Sequence, residues 1–186
     1  MPTSDADAPV FLIGFMASGK TTVGRLLAAA LGFRFADLDD RIVAAAGAPI
    51  REIFARHGEA GFREREREAV RAAAGERSVV FATGGGAPCF GDNLATMRGA
   101  GRLVALEVSA EEAVRRAGRG SGRPLLDGAV NPVDAAAALL KERAPFYAQA
   151  EVRVRTEGRA PDAIVTEIVE RLSLARAGGA ARGSAT

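Results

Sequence analysis

The stretch Val10-Phe11-Leu12-Ile13-Gly14-Phe15-Met16-Ala17-Ser18-Gly19-Lys20-Thr21 decides the fold. An apolar run of strand length enters a glycine-bounded loop ending in Lys-Thr, and Val23-Gly24-Arg25-Leu26-Leu27-Ala28-Ala29-Ala30-Leu31 leaves it with a helical pattern. The order strand, loop, helix is the context in which a phosphate-binding loop works. The glycines let backbone N–H groups wrap a polyphosphate, Lys20 reaches its outer oxygens, and the Thr21 hydroxyl can ligate magnesium. Nucleotide binding follows as the first expectation.

Outward from the loop, strands and helices alternate. Strand patterns cover Phe33–Leu38, Ser78–Thr83, Arg102–Val108 and Val152–Thr156. Helical patterns run over Pro49–Ala74 with a break near Gly58, Ala110–Ala117, Val133 to about Ala150, and Pro161 to about Arg176. This β/α alternation predicts an α/β fold: a five-stranded, mainly parallel sheet with helices on both faces and ligands at the carboxyl ends of the strands. With 186 residues and 48% hydrophobic content the chain suits one domain, expected over 9–176. Residues 1–8 and 177–186, rich in small and polar residues, are expected to be disordered tails.

A net charge of +2 implies no general nucleic-acid footprint. The 23 arginines stand against two lysines, Lys20 and Lys141, so lysine is kept where arginine cannot substitute. One cysteine, Cys89, and one histidine, His57, exclude an internal disulfide and a multi-cysteine or multi-histidine zinc site. The chemistry must rest on carboxylates, arginines, backbone and magnesium. The acidic start lacks a basic region followed by an apolar one, and no apolar run approaches the ~18 residues of a membrane span. The expectation is a cytoplasmic protein without a membrane partner.

Four further features carry chemistry. Asp37-Leu38-Asp39 ends the second strand pattern, and in extended backbone residues two apart face the same way, so both carboxylates are expected in the crevice beside the loop, the alternative being a solvated loop or a helix N-cap at Asp39 or Asp40, which could coexist with catalysis. One would organise magnesium and the other bind an acceptor hydroxyl; because the third strand ends without an Asp, Asp37 is the better magnesium candidate. Thr83 is followed by Gly84-Gly85-Gly86, where a substrate can lie against bare backbone. Arg63 and Glu66, three apart on a helix, are spaced for the carboxylate to hold the guanidinium. Arg123-Pro124-Leu125-Leu126 closes the glycine-rich stretch Gly118-Arg119-Gly120-Ser121-Gly122, the composition of a lid over about 118–128, and Glu142-Arg143-Ala144-Pro145-Phe146-Tyr147 puts another arginine on a late helix.

Taken in order, the phosphate loop, Asp37-Leu38-Asp39, Gly58-Glu59 with Phe62-Arg63 and Glu66, the glycine triplet, Arg123-Pro124-Leu125-Leu126 and Glu142 to Tyr147 resemble the shikimate kinase family from about Val10 to about Leu172. The resemblance implies a P-loop kinase fold and magnesium-dependent transfer of the ATP γ-phosphoryl group to the 3-hydroxyl of shikimate, with a substrate-binding segment over about 39–66. It further implies that Gly14, Ala17, Ser18, Gly19, Lys20, Thr21, Thr22, Arg116, Arg123 and Arg159 serve ATP, with Arg116 packing on adenine, a role open also to Arg115 or Arg119. Asp39, Arg63, Gly84, Gly85, Gly86 and Arg143 would serve shikimate, with the two arginines gripping its carboxylate. Lys20, Asp39 and Arg123 would be catalytic, with Thr21 and Asp37 on the metal side. The family often carries Glu after the residue corresponding to Ile42; here that position is Val43. A monomer acting on two small molecules is expected.

Two other readings fit parts of this pattern. A gluconate kinase relative would share the loop without keeping Arg63, the glycine triplet and Arg143 together. A ligand-sensing module of a transcription regulator would carry a helix-turn-helix domain, and only nine residues precede the first strand.

Overall fold

The computed structural model describes residues 5–118 and 131–180. Five strands, β1 (Val10–Gly14), β2 (Arg34–Asp37), β3 (Val79–Ala82), β4 (Arg102–Glu107) and β5 (Val152–Arg155), form one sheet in the order β2-β3-β1-β4-β5, with every pairing parallel. The helices are α1 (Lys20–Leu31), α2 (Leu38–Ala46), α3 (Ile50–Ala74), α4 (Asn93–Ala100), α5 (Ala110–Ala117), α6 (Pro132–Tyr147) and α7 (Pro161–Ala180).

The central strand β1 is buried along its whole length, which is why its sequence is continuously apolar rather than alternating. Its side chains still alternate between faces. Phe11 and Ile13 join Phe81, Leu103, Val70, Met97 and Tyr147 in the core beneath α3, α4, α5 and α6, while Val10 and Leu12 join Val80, Val104, Leu27, Ile164 and Ile168 beneath α1 and α7. Each such side chain, fully buried, contributes roughly 1.5–3 kcal/mol of hydrophobic stabilisation. A smaller cluster of Ile42, Ile53 and Phe62 ties α2 to α3.

Chain order reverses at β1, whose neighbours β3 and β4 continue in opposite directions, so a crevice opens at the carboxyl ends of these strands. Gly14 lies where the chain leaves β1. Its φ is +138°, and a Cβ there would stand 2.3 Å from the Leu106 carbonyl oxygen, so no other residue fits. α3 is two helical segments joined at Gly58 (φ 65°, ψ −174°), the break expected from sequence, which turns the second segment toward the crevice.

Several expectations need correction. Residues 5–8 do not belong to a disordered tail: Asp5–Asp7 form a 3-10 turn, Ala8 is buried, and the Asp7 carbonyl accepts from Ser78 N at 2.8 Å. The helix expected to stop near Arg176 continues to Ala180, with no proline to end it, although Gly178 and Gly179 are poor helix formers. α4 matches no helical pattern expected from the sequence, and α2, open there only as an N-cap at Asp39 or Asp40, is capped by Asp37. α2 overturns the geometry assumed for Asp37 and Asp39, because β2 ends at Asp37 and Asp39 stands in the first helical turn. Arg123 and positions 119–128 of the expected lid lie outside the described residues, as do residues 1–4 and 181–186 of the tails.

Candidate active site

The phosphate loop is held open by its backbone. Ala17 (φ 56°) and Gly19 (φ 96°) both adopt left-handed conformations, and Gly19 caps α1 without a side-chain hydrogen bond. The first turn of α1 contains no acidic residue of its own, and its N–H groups make the arrangement a helix N-terminus offers to an anion. Lys20 Nζ lies back over the loop and donates to the carbonyl oxygens of Gly14 (2.9 Å) and Phe15 (2.8 Å). Thr21 Oγ1 donates to Asp37 Oδ2 at 3.0 Å, placing a hydroxyl and a carboxylate side by side at the loop's edge.

Asp37 also caps α2. Its Oδ1 accepts from the Asp39 backbone N–H at 3.0 Å, so the two carboxylates reach the crevice through a strand-to-helix turn and not along one strand face. The consequence is a division of labour between them. Both oxygens of Asp37 are engaged, whereas Asp39 Oδ1 is buried without a partner among the described residues. Burial pushes the Asp39 carboxyl above its ordinary value, Asp37 adds to that rise, and Lys20 and Arg63 partly offset it.

Arg63 comes from the second segment of α3. Its Nη1 donates to Glu66 Oε2 (2.8 Å), its Nε and Nη2 donate to Glu59 Oε1 (3.2 and 3.1 Å), and its guanidinium lies over the Phe90 ring at 3.7 Å from the centroid. The expected Arg63–Glu66 contact is therefore made. Glu66 is only 2% exposed; burial raises its pKa, opposed by the charge and hydrogen bond of Arg63, and its Oε1 has no partner among the described residues. Arg143, on α6, is buried at 7% exposure beside the Phe15 ring and makes no carboxylate ion pair among the described residues.

The glycine triplet runs between these groups. A Cβ on Gly84 would stand 2.9 Å from Glu66 Oε1 and 3.1 Å from Asp39 Oδ1, and one on Gly86 would stand 3.1 Å from both Arg63 Nη atoms. Each glycine thus leaves room that a charged group occupies. The N–H groups of Gly84, Gly85 and Gly86 donate to no backbone acceptor among the described residues, while the Gly85 carbonyl accepts from Tyr147 Oη at 2.6 Å.

These elements line one cleft of about 850 Å³. It gathers Ala17, Ser18, Gly19, Lys20, Thr21, Thr22, Asp37, Asp39, Arg63, Gly84, Gly85, Gly86, Arg116, Arg143 and Arg159. Gly14, expected to meet the nucleotide, is not among the residues lining the cleft, and its α-carbon packs against the Leu106 carbonyl of β4. Among the neighbouring arginines, Arg116 lines the cleft and Arg115 does not; Arg116 donates to Thr156 Oγ1 (3.1 Å), the Thr156 carbonyl (3.0 Å) and the Ala17 carbonyl (3.4 Å). Arg119 lies outside the described residues. Glu59, Phe54, Phe62 and Met16 also line the cleft without having been assigned a role from sequence, although Glu59 and Phe62 flank Arg63 in the same motif. Cys89 sits in a 3-10 turn (Ala87–Cys89), and burial pushes its thiol up to about 11, which fits an unreactive side chain.

At one end, then, the cleft offers amides and a lysine to a polyphosphate. At the other it offers two arginines, a buried carboxylate and bare backbone N–H groups to a small, hydroxylated, negatively charged molecule.

Known proteins were compared with this chain. A family model described as shikimate kinase matches residues 16–173. The shikimate kinase of Moorella thermoacetica is 49% identical over 163 residues, covering 88% of this chain and 93% of that protein. Among solved structures, the shikimate kinase of Acinetobacter baumannii in complex with shikimate superposes with a TM-score of 0.86 at 36% identity, covering 92% of this chain and 96% of that one. A gluconokinase from Sinorhizobium meliloti superposes at 0.61 with 18% identity, a likeness of fold alone.

Proposed function

This chain belongs to the shikimate kinase family, and from that premise we propose how its residues carry out transfer of the ATP γ-phosphoryl group to the 3-hydroxyl of shikimate. It is an ATP-dependent small-molecule kinase whose product, 3-phosphoshikimate, leads to chorismate and the aromatic amino acids. The observation that carries the division of roles is the convergence of Arg63, Arg143, Asp39 and the Gly84–Gly86 backbone at the end of the cleft facing the phosphate loop.

ATP lies with its phosphates on the amides of Ala17 to Thr22 and Lys20 moved from the loop carbonyls to phosphate oxygens, an exchange of one set of acceptors for a better-charged one. Arg116 and Arg159 border the adenine side. Thr21 and Asp37 fit a magnesium ion, since a hydroxyl and a carboxylate 3.0 Å apart are hard oxygen donors suited to a cation that completes its shell with water and phosphate. Such an ion would neutralise phosphate charge.

Shikimate presents its carboxylate to the forks of Arg63 and Arg143 and its ring hydroxyls to Asp39 and the glycine amides. Asp39 orients the attacking hydroxyl and accepts its proton through Oδ1, which has no partner among the described residues. Lys20 and Arg123 stabilise the charge that spreads over the transferring phosphoryl group, and phosphoryl transfer needs little else beyond alignment. Among the described residues no helix is long and apolar enough to cross a membrane, and Leu26 is the one large exposed hydrophobic side chain, features that support a cytoplasmic monomer.

A coupled ADP-release assay tests the reading. Shikimate is expected to stimulate ADP formation from magnesium-ATP strongly, and gluconate is not. Absence of stimulation by shikimate would overturn it.

A further inference from the structure

Gly85 stands at the meeting point of three elements. A Cβ at this position would lie 3.3 Å from the Met16 N of the phosphate loop, 3.4 Å from the Gly14 carbonyl oxygen and 3.6 Å from Arg143 Nη1. The chain here has no side chain and lies outside the sheet; it is a turn closed by the Ala87 N–H on the Gly84 carbonyl (3.0 Å), which leaves the central Gly85–Gly86 peptide itself without a backbone hydrogen bond at its Gly85 carbonyl. A side chain supplies one: Tyr147 Oη donates to the Gly85 carbonyl oxygen at 2.6 Å. Tyr147 is 8% exposed, its ring is part of the core under the sheet, and burial raises the phenol further above neutrality, so the group remains a donor.

The Gly85 carbonyl and the Gly86 N–H belong to one peptide unit, and no peptide among the described residues is cis. In a planar trans unit the two groups point in opposite directions. Holding the carbonyl toward α6 therefore aims the Gly86 N–H away from α6. That N–H has no backbone acceptor among the described residues, and Gly86 adjoins the Arg63 guanidinium. Tyr147 and Arg143 stand four apart on α6, so one helix carries both a carboxylate-binding group and the anchor of the opposing loop.

We propose that Tyr147 is a positioning residue for substrate: by holding the Gly85 carbonyl it orients the Gly86 N–H toward a non-reacting ring hydroxyl and fixes the glycine loop relative to Arg143. This rests on the assignment of shikimate to this end of the cleft. Without the phenol, the central Gly85–Gly86 peptide of the turn can flip, since glycines accept either turn geometry, and its N–H loses its aim. ATP, bound on the phosphate-loop amides at the other end of the same cleft, is served by other groups.

The test is Tyr147→Phe, which keeps the core ring and deletes the hydroxyl, with its bond to Gly85 and its contact with Arg143. The KM for shikimate is expected to rise about fivefold to twentyfold, the scale of losing one oriented hydrogen bond, while the KM for ATP changes by less than twofold. Shikimate analogues with the 4- or 5-hydroxyl replaced by hydrogen separate positioning from general structure: with one of them the penalty of Tyr147→Phe should vanish. A shikimate KM within twofold of wild type, or an equal penalty with both analogues, would overturn the proposal. Should the variant not fold, the wild-type protein still decides. The Gly86 amide proton is expected to move downfield in its NMR spectrum on saturation with shikimate, and an unmoved resonance would count against the role. The wild-type assay with shikimate is the control, since its failure would remove the substrate assignment and not the anchoring bond.

Discussion

Arg63 and Glu66 form a 2.8 Å ion pair in which the carboxylate is almost fully buried and only one of its two oxygens has a partner among the described residues. With Glu59 on its other edge and Phe90 beneath it, the Arg63 guanidinium is oriented before any ligand arrives. Preorganisation of this kind lowers the entropy cost of gripping an anion. It also means that the three-residue helical spacing, legible in sequence, sets the direction of a binding group.

Arg63→Lys and Arg143→Lys are each expected to weaken shikimate binding, because an ammonium cannot reproduce the planar two-donor fork. The loss should be about 1.5–3 kcal/mol per site, roughly tenfold to 150-fold in Kd. Calorimetric titration with shikimate and separately with ATP checks this; ATP affinity should hold, and an unchanged shikimate Kd would remove the carboxylate clamp.

For Asp39→Asn, turnover should collapse while ATP binding survives, since the amide keeps the volume and cannot take the proton. The same variant carries a pH signature. Burial raises the Asp39 carboxyl in the folded state, so the folded chain binds a proton more tightly than the unfolded chain does, and stability falls as pH rises from the ordinary carboxylate value through the raised one. Above that window the charged Asp39 is a standing cost. Replacing it should therefore raise Tm at neutral pH and flatten the acidic part of the Tm profile, as thermal scans between pH 4 and 8 would show.

The adenine role falls by resemblance to Arg116, with Arg115 as an alternative, and the structure separates their surroundings. Both pair with Glu112, but Arg116 also lies against Thr156 and the Ala17 carbonyl at the cleft wall, whereas the rest of Arg115 faces solvent. Arg116→Ala should raise the KM for ATP about threefold to thirtyfold, the range of losing a cation stacked on an aromatic ring. Arg115→Ala should leave that KM in place.

Arg123→Ala is expected to lower kcat by about two to three orders of magnitude with a modest change in shikimate affinity, the pattern of losing a donor that acts on developing charge. Single-turnover kinetics with saturating ATP measure it directly. A wild-type rate would remove Arg123 from the catalytic set.

What could be read in the sequence and what could not follows from the range of the interactions. The phosphate loop, the five strands, the break at Gly58 and the Arg63–Glu66 pair are encoded by spacing within one element. α2 escaped because it begins directly after β2 with no loop between them, and its buried face consists of Leu38 and Ile42 alone. Period-two reasoning then put Asp37 and Asp39 on one strand face, although capping by Asp37 is what brings Asp39 into place. The Tyr147 bond to Gly85 spans 62 residues, and the unpartnered oxygens of Asp39 and Glu66 depend on burial that only the packed structure defines. Such relations leave no local pattern.

Gly84 offers the most stringent check on this geometry. A methyl group there would stand 2.9 Å from Glu66 Oε1 and 3.1 Å from Asp39 Oδ1, and neither carboxylate is a loose end. Glu66 is held by Arg63, while Asp39 stands in the first turn of α2, where its backbone N–H is bound by Asp37. Since both oxygens are buried and without partners among the described residues, an added methyl also brings apolar surface against two atoms that need polar company. Gly84→Ala should thus displace the acceptor-orienting carboxylate, the Arg63 anchor or the glycine loop itself. Over-packing of this size costs about 1–3 kcal/mol, enough to lower Tm by several degrees without unfolding the protein. The kinetic effect should be larger and selective: kcat/KM for shikimate is expected to fall at least a hundredfold, the loss typical of displacing reacting groups by about 1 Å, while ATP binding at the phosphate loop persists. Nucleotide affinity by fluorescence titration and steady-state kinetics on the same preparation separate the two. Near-normal kcat/KM in this variant would mean that the Asp39 and Glu66 oxygens do not converge on Gly84 in the working enzyme.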